Sequence, residues 1–466
     1  MPRYHLQSAF LKQGWVQNVG VGVSDQGFIT DLETSATQRA DISVGVERVE
    51  GIVVPGMSNG HSHAFQRAMA GKTEYRLSAR DSFWTWRRAM YALANRVDPA
   101  DLQIVATQLF IEMLKSGYTS VAEFHYLHRQ RGGIPYSGAN ALWDAIIDAA
   151  SIAGIGLTFL PTLYQTSDFE GRPLKPEQSR FDLGLDAYLR GIEQRIDEDR
   201  RSRSPTLRTG AAFHSLRAVP VESLREAALR LREIDAGMPV HIHVAEQVLE
   251  VKACIRETGR RPIELLLDTG LLTEHWCLVH ATHATRTELE ALAGTGASVC
   301  VSISTEANLG DGFFDTSRFL TARGRLCVGS DSQSTVNPAE ELRWLEYQQR
   351  LRKKRRGVLA TKPEPHVGTR LWRDAAQHGA QAIGQPAGAI EVGRRADWLV
   401  LDPEHASMAG AAADATFDHL IFAGGDAAIR DVMVAGRWVI KDRRHAAEDD
   451  LRSRFGALMR RLAMPA

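Results

Sequence analysis

The chain has 466 residues, in which 56 Lys and Arg balance 56 Asp and Glu, so its formal net charge is zero. This balance argues against a general binder of polyanions, which carries a basic excess. Hydrophobic residues make up 44% and charged residues 24% of the chain, a composition that indicates a globular protein and excludes a disordered one. The length suits an eight-stranded α/β barrel of about 250 residues with a smaller second domain.

The cysteines and the chain start indicate a cytoplasmic protein. Of the four cysteines, none lies in a CxxC pair, and Cys277, Cys300 and Cys327 occur in apolar runs that are typical of buried strands. A disulfide framework is therefore not expected. The first residues lack an apolar signal core, and no run reaches ~18 apolar residues, so we expect neither a secretory signal nor a membrane span.

Strand-like alternation occurs near both ends of the chain, at residues 14–19, 43–49, 396–402 and 429–439. Strands from the two ends pair most simply with each other. We therefore predict one small, discontinuous β-sandwich domain, built from residues 1–54 and 386–466.

Between these ends, strand patterns alternate with helical ones. The strand candidates are residues 52–61, 119–124, 155–164, 208–214, 238–245, 276–281, 297–303 and 326–331. The helical patterns include residues 100–116, 140–153, 221–236, 248–256, 262–269 and 285–294. Eight βα repeats are the number that a closed parallel barrel needs, so residues 55–385 are predicted to form a (β/α)8 TIM-like barrel. We interpret the basic run at 352–356 as a solvated helix end.

The first chemical signal is the pair His61 and His63, at the end of the first predicted barrel strand. Residues i and i+2 of a strand face the same side, so both imidazoles can reach one ion. Nitrogen ligands suit zinc or iron. The pair lies where barrel active sites lie, at the carboxyl end of a strand.

Three later strands end in residues of similar chemistry. His241 and His243 share one strand face, so spacing alone does not choose the ligand. We favour His243, which lies nearer the barrel mouth, and interpret His241 as a hydrogen-bonded core residue. Glu246 follows as an acid–base candidate, and His280 ends the next strand. Asp331 ends the last strand, where a buried carboxylate is costly unless it is paired or metal-bound. Together these residues predict a catalytic metal site.

These motifs resemble those of the amidohydrolase superfamily, and within it the chain is similar to the formiminoglutamate deiminase family over essentially its whole length. The wider resemblance rests on the HxH pair, on His243 with Glu246, on His280 and on Asp331. The narrower one rests on residues 55–71 (PGMSNGHSHAFQRAMAG), with support from residues 83–87 (FWTWR), 123–126 (EFHY) and 304–312 (STEANLGDG).

The resemblance implies a single divalent metal ion, Zn²⁺ with Fe²⁺ as the alternative, and a set of residues around it. The implied metal ligands are His61, His63, His243 and Asp331, and the implied catalytic residues are Glu246, His280 and Asp331. The predicted strands at 155–164 and 208–214 contain no lysine that could bridge a second metal ion. The implied reaction is hydrolysis of N-formimino-L-glutamate to N-formyl-L-glutamate and ammonia, in histidine degradation.

The two carboxylates of that small-molecule substrate need cationic or hydrogen-bonding partners, and arginine is the bidentate choice. By the same resemblance, the substrate-binding residues are Gln66, Arg87, Tyr126, His214 and Arg217. Arg88 stands beside Arg87, and composition alone does not separate the two. The resemblance also implies a homodimer, with no nucleic-acid or membrane partner.

Two other functions stay open at this point. One is a related mononuclear metal deaminase that acts on a ring such as guanine or an imidazolone. Trp84 and Trp86 favour this function because aromatic side chains stack on rings, whereas Arg87, His214 and Arg217 argue against it. The other is a barrel that has lost its chemistry and serves as a scaffold or binding module. The presence of every expected ligand and catalytic candidate argues against a scaffold.

Overall fold

The computed structural model describes residues 2–34, 45–74, 82–137 and 140–463. Residues 43–44 of one predicted strand lie outside these ranges. The strands are, in chain order, β1 (Arg3–Leu11), β2 (Gly14–Val23), β3 (Ile29–Glu33), β4 (Val46–Pro55), β5 (Met57–Ser62), β6 (Tyr118–His125), β7 (Gly156–Leu163), β8 (Leu207–Thr209), β9 (Ala211–Ser215), β10 (Val240–Val244), β11 (Trp276–His280), β12 (Ser298–Val301), β13 (Arg325–Val328), β14 (Trp398–Leu401), β15 (Ile429–Val434) and β16 (Arg437–Ile440).

The α-helices lie mainly between the strands from β5 onward. They are α1 (Phe83–Ala94), α2 (Pro99–Ser116), α3 (Ala141–Ala153), α4 (Leu185–Ser202), α5 (Val221–Ile234), α6 (Val248–Thr258), α7 (Pro262–Asp268), α8 (Arg286–Thr295), α9 (Ile303–Leu309), α10 (Thr316–Thr321), α11 (Pro338–Lys353), α12 (Val367–Ala382), α13 (Thr416–His419) and α14 (Glu448–Arg461). Each helix predicted between residues 100 and 294 has a counterpart here.

Strands β5 to β13 form a nearly closed parallel barrel, which confirms the predicted TIM-like fold. Their order is β5-β6-β7-β9-β10-β11-β12-β13, and β8 pairs with β7 just before β9, so the fourth position is one strand interrupted at Gly210. A Cβ at Gly210 would lie 2.7 Å from the carbonyl oxygen of Pro239, a close approach that requires glycine. The ring closes through backbone hydrogen bonds from Asp331 to His61 and from His63 to Asp331.

Both chain ends build the second sheet, as predicted. Its order is β16-β15-β14-β4-β1-β2-β3. The strands pair antiparallel except for β1 with β4. The sheet has an apolar core of its own, which includes Leu6, Val21, Val53, Trp398 and Met433.

The strand predicted at 52–61 is divided between the two sheets and is not a single strand. Residues 52–55 end β4, which pairs with β1 and β14, and β5 begins at Met57 in the barrel. The chain crosses between the sheets at Gly56, where a Cβ would lie 2.2 Å from Cγ2 of Thr119. The Pro-Gly pair at residues 55–56 is a turn signal that marks this crossing in the sequence.

Helix α2 shows how local signals set the helix bounds. The Asp98 carboxylate accepts a hydrogen bond from the backbone N–H of Asp101 at 2.8 Å, and Pro99 occupies the first turn, where an N–H is not needed. Gly117 ends the helix in the left-handed conformation, with φ of 109°. The helix therefore begins and ends within a residue of its predicted bounds.

The cysteines and the basic run have the environments that the sequence predicted. All four cysteines are free and buried, and Cys277, Cys300 and Cys327 lie in β11, β12 and β13. The basic run starts at the end of α11, and its side chains are exposed. In the ranges that the structure describes, no helix combines the length and the apolar character needed to cross a membrane.

Candidate active site

Three buried imidazoles converge at the carboxyl ends of the barrel strands: His61 in β5, His63 just after it, and His243 in β10. Nε2 of His243 lies 3.0 Å from Nε2 of His61 and 3.3 Å from Nε2 of His63. Tetrahedral zinc with Zn–N bonds of about 2.0–2.1 Å has N–N edges of about 3.3 Å. The spacing of the three nitrogens therefore fits a single ion.

Asp331 brings a carboxylate to the same cluster. Its Oδ1 lies 3.4 Å from Nε2 of His61 and 3.5 Å from Nε2 of His63. Burial opposes ionisation, but the hydrogen bond with His61 and the nearby imidazoles hold the pKa of Asp331 well below its usual value. Burial lowers the pKa of His61 to about 3, and it also lowers the pKa of His63 and of His243. Neutral imidazoles with an ionised carboxylate are the forms that bind a divalent cation.

Backbone carbonyl groups orient two of the imidazoles. Nδ1 of His63 donates to the carbonyl oxygen of Phe124, and Nδ1 of His243 donates to that of His214, both at 2.8 Å. With the proton on Nδ1, each ring turns its Nε2 lone pair toward the centre of the cluster.

Glu123 holds the backbone on either side of His63. Its carboxylate accepts hydrogen bonds from Oγ of Ser62 at 2.7 Å and from the N–H of Ala64 at 2.6 Å. Gln333 adds a third contact by donating to Oγ of Ser62 at 3.0 Å. The position of the HxH pair is therefore set by side chains from β6 and from the segment that follows β13.

His241 faces into the barrel but does not reach the cluster. One of its ring nitrogens, Nε2, donates to the carbonyl oxygen of Ala382 at 2.9 Å. The structure thus brings His243, and not His241, together with His61 and His63, whose ligand atoms all lie within 4.8 Å of one another.

Glu246 and His280 stand beside the cluster. Nε2 of His280 lies 3.8 Å from Oε1 of Glu246 and 3.8 Å from Oδ2 of Asp331. Burial raises the pKa of Glu246 to about 7, so its carboxyl group can exchange a proton near neutrality. Burial would lower the pKa of His280, but the carboxylates of Glu246, Glu306 and Asp331 raise it to about 10.

The backbone next to His280 is strained. His280 and Ala281 have φ of 70° and 50°, in the left-handed region that residues with a Cβ rarely adopt. Such conformations cost about 1–3 kcal/mol each and persist where the surrounding structure imposes them. They end β11 and set the direction from which the His280 ring enters the site.

The predicted substrate-binding residues line the same cavity as the catalytic candidates. The lining consists of His63, Gln66, Phe83, Trp86, Arg87, Met90, Tyr91, Tyr126, Phe181, His214, Arg217, His243, Glu246, His280 and Asp331. The structure therefore brings all five predicted substrate-binding residues to the metal cluster, with His61 just beneath the cavity surface.

Two arginines approach the buried hydroxyl group of Tyr164. Nη2 of Arg87 lies 3.4 Å from this hydroxyl oxygen. Burial opposes ionisation of Tyr164, but Arg217 and Arg87 outweigh it and lower the pKa of the phenol. In the described part of the chain, no carboxylate lies within 4.0 Å of either guanidinium, and Nη1 of Arg217 is buried without a hydrogen-bond partner. Both cations are therefore available to an anionic ligand.

Arg87 and Arg88 occupy different environments on α1. Arg87 is partly buried, and its guanidinium lies 5.0 Å from the ring centroid of Tyr91. Arg88 is exposed. The structure thus places Arg87, and not its neighbour, in the cavity beside the metal cluster.

Gln66, Tyr126 and His214 add neutral polar groups. Gln66 lies in the short 3-10 helix Ala64–Met69 and donates from Nε2 to the hydroxyl oxygen of Tyr126 at 2.8 Å. Its buried Oε1 has no hydrogen-bond partner among the described residues and can accept one from a ligand. The His214 ring packs on Tyr164, with centroids 4.4 Å apart.

Three features of the site were not predicted from the sequence: Tyr164, Gln178 and the role of Glu306. Gln178 donates to the hydroxyl oxygen of Tyr164 at 2.8 Å, and Glu306 contacts His280. Tyr164 directly follows β7, so the rule that pointed to the metal ligands, a polar residue at the end of a barrel strand, could have found it. Gln178 and Glu306 lie between strands. No sequence signal marks Gln178, whereas Glu306 lies in the segment 304–312 that supports the family resemblance.

The fold and this site define the class of the protein: the chain belongs to the amidohydrolase family, whose profile matches residues 52–439. It is similar to the formimidoylglutamate deiminase of Pseudomonas aeruginosa, with 47% identity over 443 residues, or 95% of each chain. It is more distantly similar to the 5-methylthioadenosine/S-adenosylhomocysteine deaminase of Halobacterium salinarum, with 26% identity over 451 residues, or 94% of each chain.

Solved structures share the whole fold. An amidohydrolase from Brucella melitensis superposes with a TM-score of 0.91 at 38% identity, covering 99% of this chain and 100% of that one. Atrazine chlorohydrolase from Arthrobacter aurescens, complexed with zinc, superposes with a TM-score of 0.82 at 20% identity, covering 98% and 100%. The second likeness is one of fold alone.

Proposed function

We propose that this protein is a metal-dependent hydrolase that converts N-formimino-L-glutamate and water to N-formyl-L-glutamate and ammonia, in histidine degradation. The observation that carries the proposal is one cavity that joins three clustered histidines and Asp331 to two arginines, neither of which has a carboxylate within 4.0 Å among the described residues. The similarity to a formimidoylglutamate deiminase over 95% of the chain supports the same substrate.

His61, His63, His243 and Asp331 would hold one divalent ion, for which we propose Zn²⁺ with Fe²⁺ as the alternative. Three nitrogens and one carboxylate oxygen form a donor set that suits either ion. When bound, such an ion lowers the pKa of a water molecule to about 7, which makes a nucleophile available at neutral pH.

The remaining chemistry consists of proton transfers by side chains of this chain. Asp331 accepts the proton of the attacking water as it adds to the formimino carbon, and His280 orients that water and stabilises the developing charge. Glu246 delivers a proton to the nitrogen of the former C=N bond, because that nitrogen cannot leave as an anion. The pKa of Glu246, about 7, suits a group that both gives and takes a proton at neutral pH.

Charge complementarity orients the substrate. Its amidinium end is cationic and faces the carboxylates of Glu246 and Asp331, whereas its two carboxylates need cations. Arg87 and Arg217 supply these cations on the other side of the cavity. Gln66, Tyr126 and His214 would add hydrogen bonds and fix the substrate between the two ends.

Four further features belong to this proposal. We propose that the enzyme acts in the cytoplasm as a homodimer, without a nucleic-acid or membrane partner. We also keep the division into a barrel domain at residues 55–385 and a small domain built from residues 1–54 and 386–466.

A deaminase that acts on a ring is the second candidate function. Phe83, Trp86 and Tyr91 line the cavity, and such side chains can stack on a planar ligand. Arg87 and Arg217 argue against it, because a neutral ring leaves two cations unpaired.

The test is to incubate the zinc-loaded protein with N-formimino-L-glutamate, measure ammonia, and identify the second product by NMR. Ammonia with N-formyl-L-glutamate is the expected result. Formamide with glutamate would show that the other C–N bond breaks. If protein with stoichiometric metal gives no product from N-formimino-L-glutamate but turns over a purine or an imidazolone, the protein is the ring-acting deaminase.

A further inference from the structure

Glu306 is a buried carboxylate that the mechanism above does not use. It is 1% exposed and lies in α9. Its Oε1 accepts a hydrogen bond from the backbone N–H of Ser302 at 3.2 Å and one from Nδ1 of His280 at 3.4 Å. Its Oε2 has no hydrogen-bond partner among the described residues. Burying a carboxylate is costly unless it is paired. At this position the hydrogen bonds from Ser302 and His280 to Oε1 provide the pairing.

Helix α9 holds this carboxylate in place independently of His280. The N–H of Glu306 donates to the carbonyl oxygen of Ser302 at 2.9 Å, and the side chain turns back to the N–H of the same residue. Gly310 ends the helix with φ of 71°, and the N–H of Asp311 donates to the carbonyl oxygen of Glu306 at 2.9 Å. The acceptor therefore reaches His280 from a fixed point of the backbone.

Four contacts define the orientation of the His280 ring. Its plane lies nearly parallel to that of His243, at 17°, with centroids 5.5 Å apart. Its Nε2 faces Glu246 and Asp331, each 3.8 Å away, and its Nδ1 faces Glu306 on the opposite edge. A half turn of the ring about its bond to Cβ would keep the stacking but remove both nitrogens from these partners. The acceptor at Glu306 therefore selects between the two orientations.

We propose that Glu306 is a positioning residue for the reaction. By accepting the Nδ1–H of His280, it fixes the rotation of that ring, so that Nε2 points at the reacting carbon between Glu246 and Asp331. A carboxylate behind a catalytic histidine has the same effect in Ser-His-Asp hydrolases. The inference rests on the proposed function, since it assigns a role within that reaction.

Two substitutions at this position and one control test the proposal kinetically. Glu306→Ala should lower kcat about 10²-fold, and Glu306→Gln about tenfold, because the amide oxygen still accepts from Nδ1. KM should stay within about twofold, since Glu306 does not line the cavity. Glu341→Gln is the matched control, because Glu341 is equally buried and bonds Ser304 of α9 without touching His280. It should keep kcat, and all three variants should keep the metal.

Crystal structures of the wild type and of Glu306→Ala give a readout apart from activity. We expect the His280 ring to turn, or to adopt two orientations, in the variant. If the wild type releases no ammonia but the His280 ring still turns in Glu306→Ala, the proposed function is wrong and the positioning role of Glu306 stands. Two results would overturn the positioning role. One is a Glu306→Ala variant with an unmoved His280 ring and a kcat within about threefold of wild type. The other is a loss of kcat in Glu341→Gln that equals the loss in Glu306→Ala.

Discussion

The backbone N–H of Asp331 donates to the carbonyl oxygen of His61 at 3.0 Å, and the side chains of the same two residues approach to 3.4 Å in the metal cluster. The hydrogen bond joins the end of the last barrel strand to the first. Asp331 has φ of 41°, so the chain turns sharply where β13 has ended. The contact that closes the barrel therefore also brings Asp331 to the histidine cluster.

We predict that His243→Asn loses the bound metal, whereas His241→Asn keeps it. Nε2 of His243 faces both His61 and His63, whereas His241 is bonded to Ala382 below the cluster. Loss of a direct ligand should exceed the roughly 10–100-fold loss of metal affinity that follows changes behind a ligand.

Metal content after dialysis, measured by plasma mass spectrometry, checks this prediction. The two histidines are inward-facing and buried in the same strand, so His241→Asn controls for damage to β10. Equal metal content in both variants would show that His243 is not a ligand.

We predict that Glu246→Gln lowers kcat about 10²–10⁴-fold, the usual contribution of a general acid or base. Glutamine has nearly the same shape but cannot deliver the proton that the leaving nitrogen needs. Stopped assays of ammonia release on variant protein of verified metal content provide the measurement. A variant that holds its metal and turns over at a near-normal rate would remove the acid–base role.

We predict that Arg87→Met and Arg217→Met each raise KM about 10-fold or more, because hydrogen bonds to charged groups are worth about 1.5–3 kcal/mol. Methionine keeps much of the apolar stem and removes the cation. Arg88→Met is the matched control, since Arg88 is the exposed neighbour on the same helix. Steady-state kinetics with N-formimino-L-glutamate measure the effect. Unchanged KM in both cavity variants would mean that the substrate carboxylates bind elsewhere.

We predict that Glu341→Gln becomes more stable relative to wild type as the pH rises. Burial raises the pKa of Glu341 from 4.5 to about 8 in the folded protein. Between these values the folded protein keeps a proton that the unfolded chain releases, so this residue lowers the free energy of unfolding as the pH increases. Below 4.5 and above about 8 its contribution is constant.

Urea unfolding of both proteins at about pH 5 and about pH 8 checks this linkage. Glutamine cannot ionise, so the difference in unfolding free energy, variant minus wild type, should increase between the two conditions. The groups that face the carboxylate are Ser304, Glu306 and Tyr118. A difference that does not change with pH would show that Glu341 is ionised in the folded protein throughout this range.

The sequence by itself determined the order of the barrel repeats and the residue types of the candidate metal site. The reason is that both depend on local periodicity. Alternation along a strand puts His61 and His63 on one face, and caps such as Asp98 and Gly117 set the bounds of a helix within a few residues. Polar residues at the ends of apolar strands then predicted that the site lies at the carboxyl end of the barrel.

Only the tertiary structure decided between residues that local periodicity leaves equivalent. His241 and His243 share a face, and their heights along the barrel axis, set by strand register, separate them. Arg87 and Arg88 are neighbours in sequence, and the packing of α1 against the cavity places one inside and one outside. The contact between Glu306 and His280 joins side chains 26 residues apart, and no pattern within either segment specifies it, because the closed barrel alone brings them together.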